Sequence, residues 1–329
     1  MYINNNELQA ISNIIKIIHN SKTFFIAGHI RHDGDSLGSA IAITSLLTRL
    51  HKQACTYSID QIPTSLDFLI GTNNIKQTIR EYGTFDCAIM LEVSNLTRIG
   101  NIVTYKQFKK IINIDHHVNC KYIGDVNYIM SSSSSTAELV LKIFEQMKIK
   151  LTKNEAECLY TGILTDTGCF QNLNTTKQSH IACAKLMKYN ININNIYKNI
   201  YANYNINYLK LLGLALCNIK TSLNNKLAYI VLTQNMLQKT NTTYQDSHGI
   251  INYILKIHNV KIGCVFEELN SITTKVSYRS VENINVLDIA KEFNGGGHIN
   301  AAGCILKINI DKAVKLVINY INTKLVDIL

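Results

Sequence analysis

With 329 residues, 47% of them hydrophobic and 17% charged, the chain has material for two packed domains and is not a disordered polymer. One proline, 16 glycines and no apolar run near the roughly 18–20 residues of a membrane span exclude collagen-like, proline-rich and transmembrane readings. The net charge of +10 favours phosphate-bearing partners but comes mostly from scattered lysines, so only Arg31, Arg49, Arg80, Arg98 and Arg279 stand out as uses of a planar fork.

In the first half, strand-like and helix-like segments alternate, which predicts a parallel sheet flanked by helices. Phe24–Gly28 is a short apolar strand, followed by a polar turn with Gly34 and a helical pattern over Leu37–Leu50. Cys55–Ile59, Asp86–Val93 and Lys110–Ile114 read as further strands, the last two running into acid-bearing residues. Ala137–Met147 and Glu155–Thr165 read as helices, with Ser135 and Glu138 spaced as a capping box for the first. From Tyr189 to Tyr208 the composition shifts to Asn, Ile and Tyr, the mark of a helical linker. Beyond it, strands over Lys226–Leu232, Val260–Glu267 and Ile272–Ser280 alternate with helical patterns at Ile250–Ile257, Leu287–Phe293 and Lys312–Asp327. The expected fold is α/β: a parallel-sheet domain over 1–188, a helical linker over 189–215 and a smaller α/β domain over 216–329.

Acids and histidines gather where those strands end. His29, Asp33 and Asp35 follow the first strand, Glu92 ends the third, and Asp115, His116 and His117 end the fourth, while Asp166 closes a helix. In open α/β sheets the carboxyl ends of strands converge on one crevice. So many carboxylates cannot sit together ionised without cations. Mixed oxygen and imidazole donors suit manganese, with magnesium, iron, cobalt or zinc as substitutes, and their number fits two ions. Two ions about 3.5–4 Å apart clamp the attacking and leaving oxygens of an in-line phosphoryl displacement. Taken singly, each cluster reads as ordinary strand-end polarity; taken together, a metal site accounts for all of them.

HxxxDGDSLGS (29–39), the Asp115–His116–His117 triplet and GILTDTGCF (162–170) resemble three motifs of the DHH phosphoesterases, and VSYRS (276–280) and GGGHINAAG (295–303) resemble their DHH-associated C-terminal domain. The resemblance implies that His29 and Asp33 hold one manganese, that Asp35, His116 and Asp166 hold the other, and that Glu92 bridges them. It casts Asp115 as the partner orienting the histidine ligand and His117 as a contact to substrate phosphate or the leaving oxygen. Arg279 becomes a phosphate fork, and Gly295, Gly296, Gly297 and His298 a phosphate-binding turn. Three positions depart from the family pattern. Glu92 replaces an aspartate, His32 a proline and Asn294 a glycine, the last tolerable because Asn enters left-handed conformations.

By this resemblance the chain is a cytoplasmic, manganese-dependent phosphodiesterase and phosphatase, with magnesium or cobalt as substitutes. Its expected substrates are very short single-stranded RNA, degraded to 5'-mononucleotides, and 3'-phosphoadenosine 5'-phosphate, which would lose its 3'-phosphate; a homodimer is suggested. The alternatives are hydrolysis of linear or cyclic dinucleotides, and a nucleotide- or RNA-binding protein whose catalysis has faded through Glu92. Other features read more plainly. Nine cysteines without a CxxC pair imply reduced, mostly buried thiols. Ser131–Ser135 reads as a flexible loop before a helix cap, the tyrosines at 189–208 as linker packing, and His19, His51, His180, His248 and His258 as surface or core residues. Arg98 is expected to tie down the loop near the metals, and Arg31 is divided between substrate phosphate and solvent.

Overall fold

The computed structural model describes residues 4–78, 83–100, 104–247, 249–281 and 284–324; Arg80, His248 and the end of the Lys312–Asp327 pattern lie outside them. The chain forms two compact units, Met1–Asn203 and Tyr204–Leu329.

The first unit contains α1 (Asn5–Asn20), β1 (Thr23–Gly28), α2 (Gly34–Arg49), β2 (Gln53–Tyr57), β3 (Phe85–Leu91), β4 (Phe108–Asp115), β5 (Val126–Ile129), α3 (Thr136–Met147), α4 (Lys153–Asp166), α5 (Lys177–Met187) and α6 (Ile193–Tyr201). Its five strands are all parallel, in the order β2-β1-β3-β4-β5. That order reverses direction beside β1, so the loops leaving β1 and β3 open at the switch point where doubly wound sheets bind ligands.

Both faces of this sheet are covered, which is why its strands read as continuous apolar runs rather than alternating ones. On one face Phe24 and Ile26 pack with buried residues of α1 to α6. On the other, Phe25 lies 5.1 Å from Phe108 and 5.8 Å from Tyr57, ring to ring, and Leu96, Ile99 and Ile123 close the cluster. α1 presents Ile11, Ile14 and Ile18 to the core at helical spacing, and the buried Glu7 pins it to α3 through Lys142 Nζ at 2.6 Å. Helices α2 and α4 approach closely because Gly38 and Gly162 carry no side chain: a Cβ at Gly38 would meet the Cys158 carbonyl oxygen at 2.3 Å, and one at Gly162 would meet Asp35 Oδ1 at 2.7 Å. This contact brings the helix ending in Asp166 against the helix bearing Asp35.

Two local expectations change. Ser135 caps α3, but the Glu138 carboxylate turns to the Ser133 and Ser134 hydroxyls instead of closing a capping box, and Ser133–Ser135 are buried rather than a flexible loop. The segment expected as a linker over 189–215 is shared out: Ile193, Ile196 and Ile200 of α6 join the first core, and Leu211, Leu212 and Ala215 of α7 (Ile206–Cys217) join the second. Each helix has an apolar stripe, and a helix with one buries it rather than spanning solvent.

The second unit continues with β6 (Lys220–Ser222), β7 (Leu227–Leu232), α8 (Gln234–Thr240), α9 (Ile250–Ile254), β8 (Ile262–Asn270), β9 (Thr273–Ser280), α10 (Val286–Glu292), β10 (Gly296–His298), β11 (Ala301–Leu306) and α11 (Ile310–Lys324). The sheet order is β10-β11-β9-β8-β7-β6, antiparallel except for the parallel pair β7 and β8. Along β9, Val276 and Tyr278 are fully buried, while Lys275, Ser277 and Arg279 occupy the other face. All nine cysteines are free. No helix among the described residues is long and apolar enough to cross a membrane.

Candidate metal centre and substrate face

Three strand ends and one helix end of the first unit meet. His29 leaves β1, and Asp33 caps α2, its Oδ1 accepting from the Ser36 N–H at 2.9 Å. His29 Nε2 stands 3.4 Å from Asp33 Oδ2 and 3.5 Å from Glu92 Oε2, while its Nδ1 lies 2.8 Å from the Ile30 carbonyl oxygen. Donation from Nδ1–H to that carbonyl leaves the Nε2 lone pair facing the carboxylates, the tautomer a metal ligand needs. Glu92 itself is 1% exposed and sits at φ +59°, a left-handed conformation uncommon for Glu and typical of strained functional positions.

On the other side, Asp35 is fully buried in the first turn of α2 and accepts from the N–H groups of Thr136 at 2.6 Å and Ala137 at 2.8 Å, the N-terminus of α3. His116 Nε2 lies 3.4 Å from Asp166 Oδ2 and 3.9 Å from Asp35 Oδ2. Donor atoms thus fall into three groups, each within 4.8 Å: His29, Asp33 and Glu92; Asp35, His116 and Asp166; and Glu92, His116 and His117. Glu92 and His116 belong to two groups each.

The electrostatics of these groups fit a cation. Burial, reinforced by neighbouring carboxylates, pushes Asp35 and Glu92 well above the usual carboxylate range, and burial with Asp35 and Asp33 pushes Asp166 up to about 8. Glu92 Oε1, Asp115 Oδ2 and His116 Nε2 are buried without a hydrogen-bond partner, a costly state unless a ligand completes them. Burial holds His116 down at about 4, so its ring is neutral and free to donate a lone pair.

Asp115 does not orient His116. Its Oδ1 accepts from the His117 N–H at 2.9 Å and lies 2.7 Å from His117 Nδ1, because an Asp at a strand end folds the next two residues back onto itself. That bond raises the proton affinity of His117, whose side chain is half exposed. His32 is buried with neither ring nitrogen partnered, its ring 6.4 Å from that of His29 and outside the three groups. Arg31 is exposed, and its backbone N–H rather than its side chain bonds Asp60. Sequence reading missed Asn174, whose amide reaches Asp166 Oδ2 at 3.3 Å and the Asp166 and Ser134 carbonyls; its place in an Asn-rich stretch gave no signal.

In the second unit, Arg279 lines a cavity of about 90 Å³ with Lys275, Glu267, Ser247 and Ser277, and Lys275 Nζ pairs with Glu267 at 2.7 Å. Gly296, Gly297 and His298 are exposed. A Cβ at Gly297 would strike the Ala301 carbonyl oxygen at 2.4 Å, whereas one at Gly296 would meet nothing within 4 Å. Asn294 adopts φ +55°, as a replacement for glycine must.

Two family models match this chain: DHH family, N-terminal domain, over residues 23–163, and DHHA1 domain over 224–323. The chain carries a DHH-family N-terminal domain and a DHHA1 domain. It is a DHH-family phosphoesterase, and its acid and histidine groups can hold the metal such enzymes depend on. Curated relatives include the bifunctional oligoribonuclease and PAP phosphatase NrnA of Bacillus subtilis, 26% identical over 88% of this chain and 91% of that one. The protein of the same name from Thermus thermophilus is 26% identical over 97% and 94%. A crystal structure of an exopolyphosphatase-related protein from Bacteroides fragilis matches with a TM-score of 0.87 and 28% identity, covering 98% of this chain and 97% of the other.

Proposed function

We propose that this DHH-family protein is a manganese-dependent enzyme that hydrolyses very short RNA to 5'-mononucleotides and removes the 3'-phosphate of 3'-phosphoadenosine 5'-phosphate. The observation that carries the reading is the convergence of three donor groups sharing Glu92 and His116, with three carboxyls held far above their ordinary proton affinity. The names of the Bacillus and Thermus relatives support the substrate class.

In this reading His29, Asp33 and Glu92 would hold one divalent ion and Asp35, His116 and Asp166 the other, with Glu92 also grouped with His116. When bound, the ions neutralise the carboxylates, polarise the phosphate and activate water for in-line attack. The chain's own groups do the rest. The Ile30 carbonyl fixes the His29 tautomer, and the α3 N-terminus holds the Asp35 carboxylate in one orientation. Asp115 orients His117 and keeps a proton available at its ring, suited to the leaving oxygen. In the second unit Arg279 offers its fork to a phosphate, and Gly296 lets ligand atoms approach the backbone.

The test is a panel with the manganese-loaded protein: RNA from dinucleotides upward to long strands, linear and cyclic dinucleotides, and 3'-phosphoadenosine 5'-phosphate. Rapid release of 5'-mononucleotide from the shortest RNA and of phosphate from the bisphosphate is expected. Hydrolysis confined to cyclic dinucleotides would replace this substrate assignment, and no hydrolysis of any member would end the catalytic reading.

A further inference from the structure

Arg98 lies in the 3-10 turn Leu96–Ile99 that follows Glu92. That turn is held without its side chain. Asn95 caps it, accepting from the Thr97 N–H at 3.0 Å, and Ile99 is buried at 2% exposure in the aromatic core beneath the sheet. The Arg98 carbonyl accepts from the Ile30 N–H at 2.6 Å, which ties the His29–Asp33 loop to the turn through backbone alone. The loop is therefore anchored as sequence reading expected, but not by the guanidinium.

The guanidinium is left over. Among the described residues it forms no ion pair and no hydrogen bond, although Arg98 is only partly exposed. Arg49 shows the ordinary alternative: its fork is committed to Glu155 at 2.6 Å and the Lys150 carbonyl at 2.9 Å. Arg98 has Glu92 six residues before it, and its charge is felt at His29 on the β1 side of the centre and at His117 and Cys120 on the β4 side. A cation that stands by the histidines of this centre and pairs with none of its carboxylates suits an anion that arrives with the ligand.

We propose that Arg98 is a further phosphate-binding residue of the centre, its fork taking non-bridging oxygens of the phosphate group held there beside His117. The inference rests on the metal-centre reading above and adds to it a group that recognises phosphate through the protein rather than through the ions. A planar, bidentate donor in this place also means that lysine is a poor replacement.

The test uses the full-length, manganese-loaded protein and adenosine 5'-monophosphate as the probe, measured by calorimetry beside manganese content and dinucleotide hydrolysis. Arg98→Ala should keep its manganese, bind the probe about tenfold or more weakly, the scale of a charged hydrogen bond, and lose about 100-fold in kcat/KM. Arg98→Lys should recover only part of both. Probe affinity within twofold of wild type in Arg98→Ala overturns the assignment, and so does loss of manganese together with thermal stability, which would make Arg98 structural. A wild type that binds the probe in an Arg98-dependent way yet hydrolyses no ester supports Arg98 while refuting the catalytic reading.

Discussion

In the first unit Asp35, Glu92 and Asp115 are at most 1% exposed, and two of them carry a buried oxygen without a partner. In the second unit the matching candidates, Gly296, Gly297 and His298, are exposed, and the charged groups beside Arg279 are already paired as Lys275 and Glu267. The first arrangement is unstable as it stands and asks for cations; the second is complete and asks only for a ligand to land on it. The difference teaches where chemistry and recognition separate. Desolvated, mutually repelling acids make a site that binds metal strongly, whereas a half-buried arginine and exposed glycine backbone select a substrate at little folding cost.

The sharpest way to break that comparison is Asp35→Asn. Turnover should fall below detection and one ion should be lost, while the amide oxygen keeps one of the two N–H bonds from the α3 N-terminus and its NH2 group gives up the other. Asp35→Ala should lose that cap as well, about 1 kcal/mol of stability by thermal or denaturant unfolding. Normal turnover in Asp35→Asn would remove this residue from the metal set.

The glycine turn separates folding from recognition within the second unit. Gly297→Ala, at φ +140° and against a backbone oxygen, should cost about 1–3 kcal/mol. Gly296→Ala should leave unfolding unchanged and raise KM. Equal melting temperatures for the two variants would contradict the steric account. Arg279→Ala should raise KM about tenfold with a smaller change in kcat, and an unchanged KM would take Arg279 out of substrate binding.

Stability against pH gives a subtler contrast. Folded Asp166 titrates at about 8 but the unfolded carboxyl at 3.8, so between them the folded state binds the extra proton and stability falls as pH rises. His29 and His117, both raised, act in the same direction above their unfolded value of 6.5. His116 and His32, lowered to about 4, act oppositely, an effect that fades as the unfolded imidazoles lose their protons through pH 6.5 and above. The metal-free protein should therefore lose melting temperature from pH 6.5 to 8, and manganese should flatten that slope. A flat metal-free profile would mean that these acids are not crowded. The smallest effect expected is for Glu92→Asp: aspartate tolerates a left-handed backbone better but reaches less far, so activity should stay within about threefold as backbone strain falls. Complete loss of activity would show a centre built around the longer side chain.

Much of this was legible in the sequence because a buried parallel sheet writes its strands as apolar runs and leaves polar residues where they end. β1, β3 and β4, with His29, Glu92 and His116 following them, could be read that way. Asp166 was legible through its motif at a helix end. What escaped depends on tertiary packing: the short β5, the pairing of Asp115 with His117 rather than His116, the left-handed Glu92 backbone and the unpartnered His32. The 189–215 segment was misleading because its Asn-rich composition resembles a linker, while the isoleucines and leucines at helical spacing settle each helix into a different core.

The most direct measurement is the number of manganese ions bound per chain, counted by equilibrium titration followed by electron paramagnetic resonance on the wild type and on Asp35→Asn. Two ions in the wild type, magnetically coupled, with one lost and the coupling abolished in the variant, is the expected result. A wild type that binds no ion at saturating manganese, or two uncoupled ions untouched by the substitution, would contradict a paired centre at these residues.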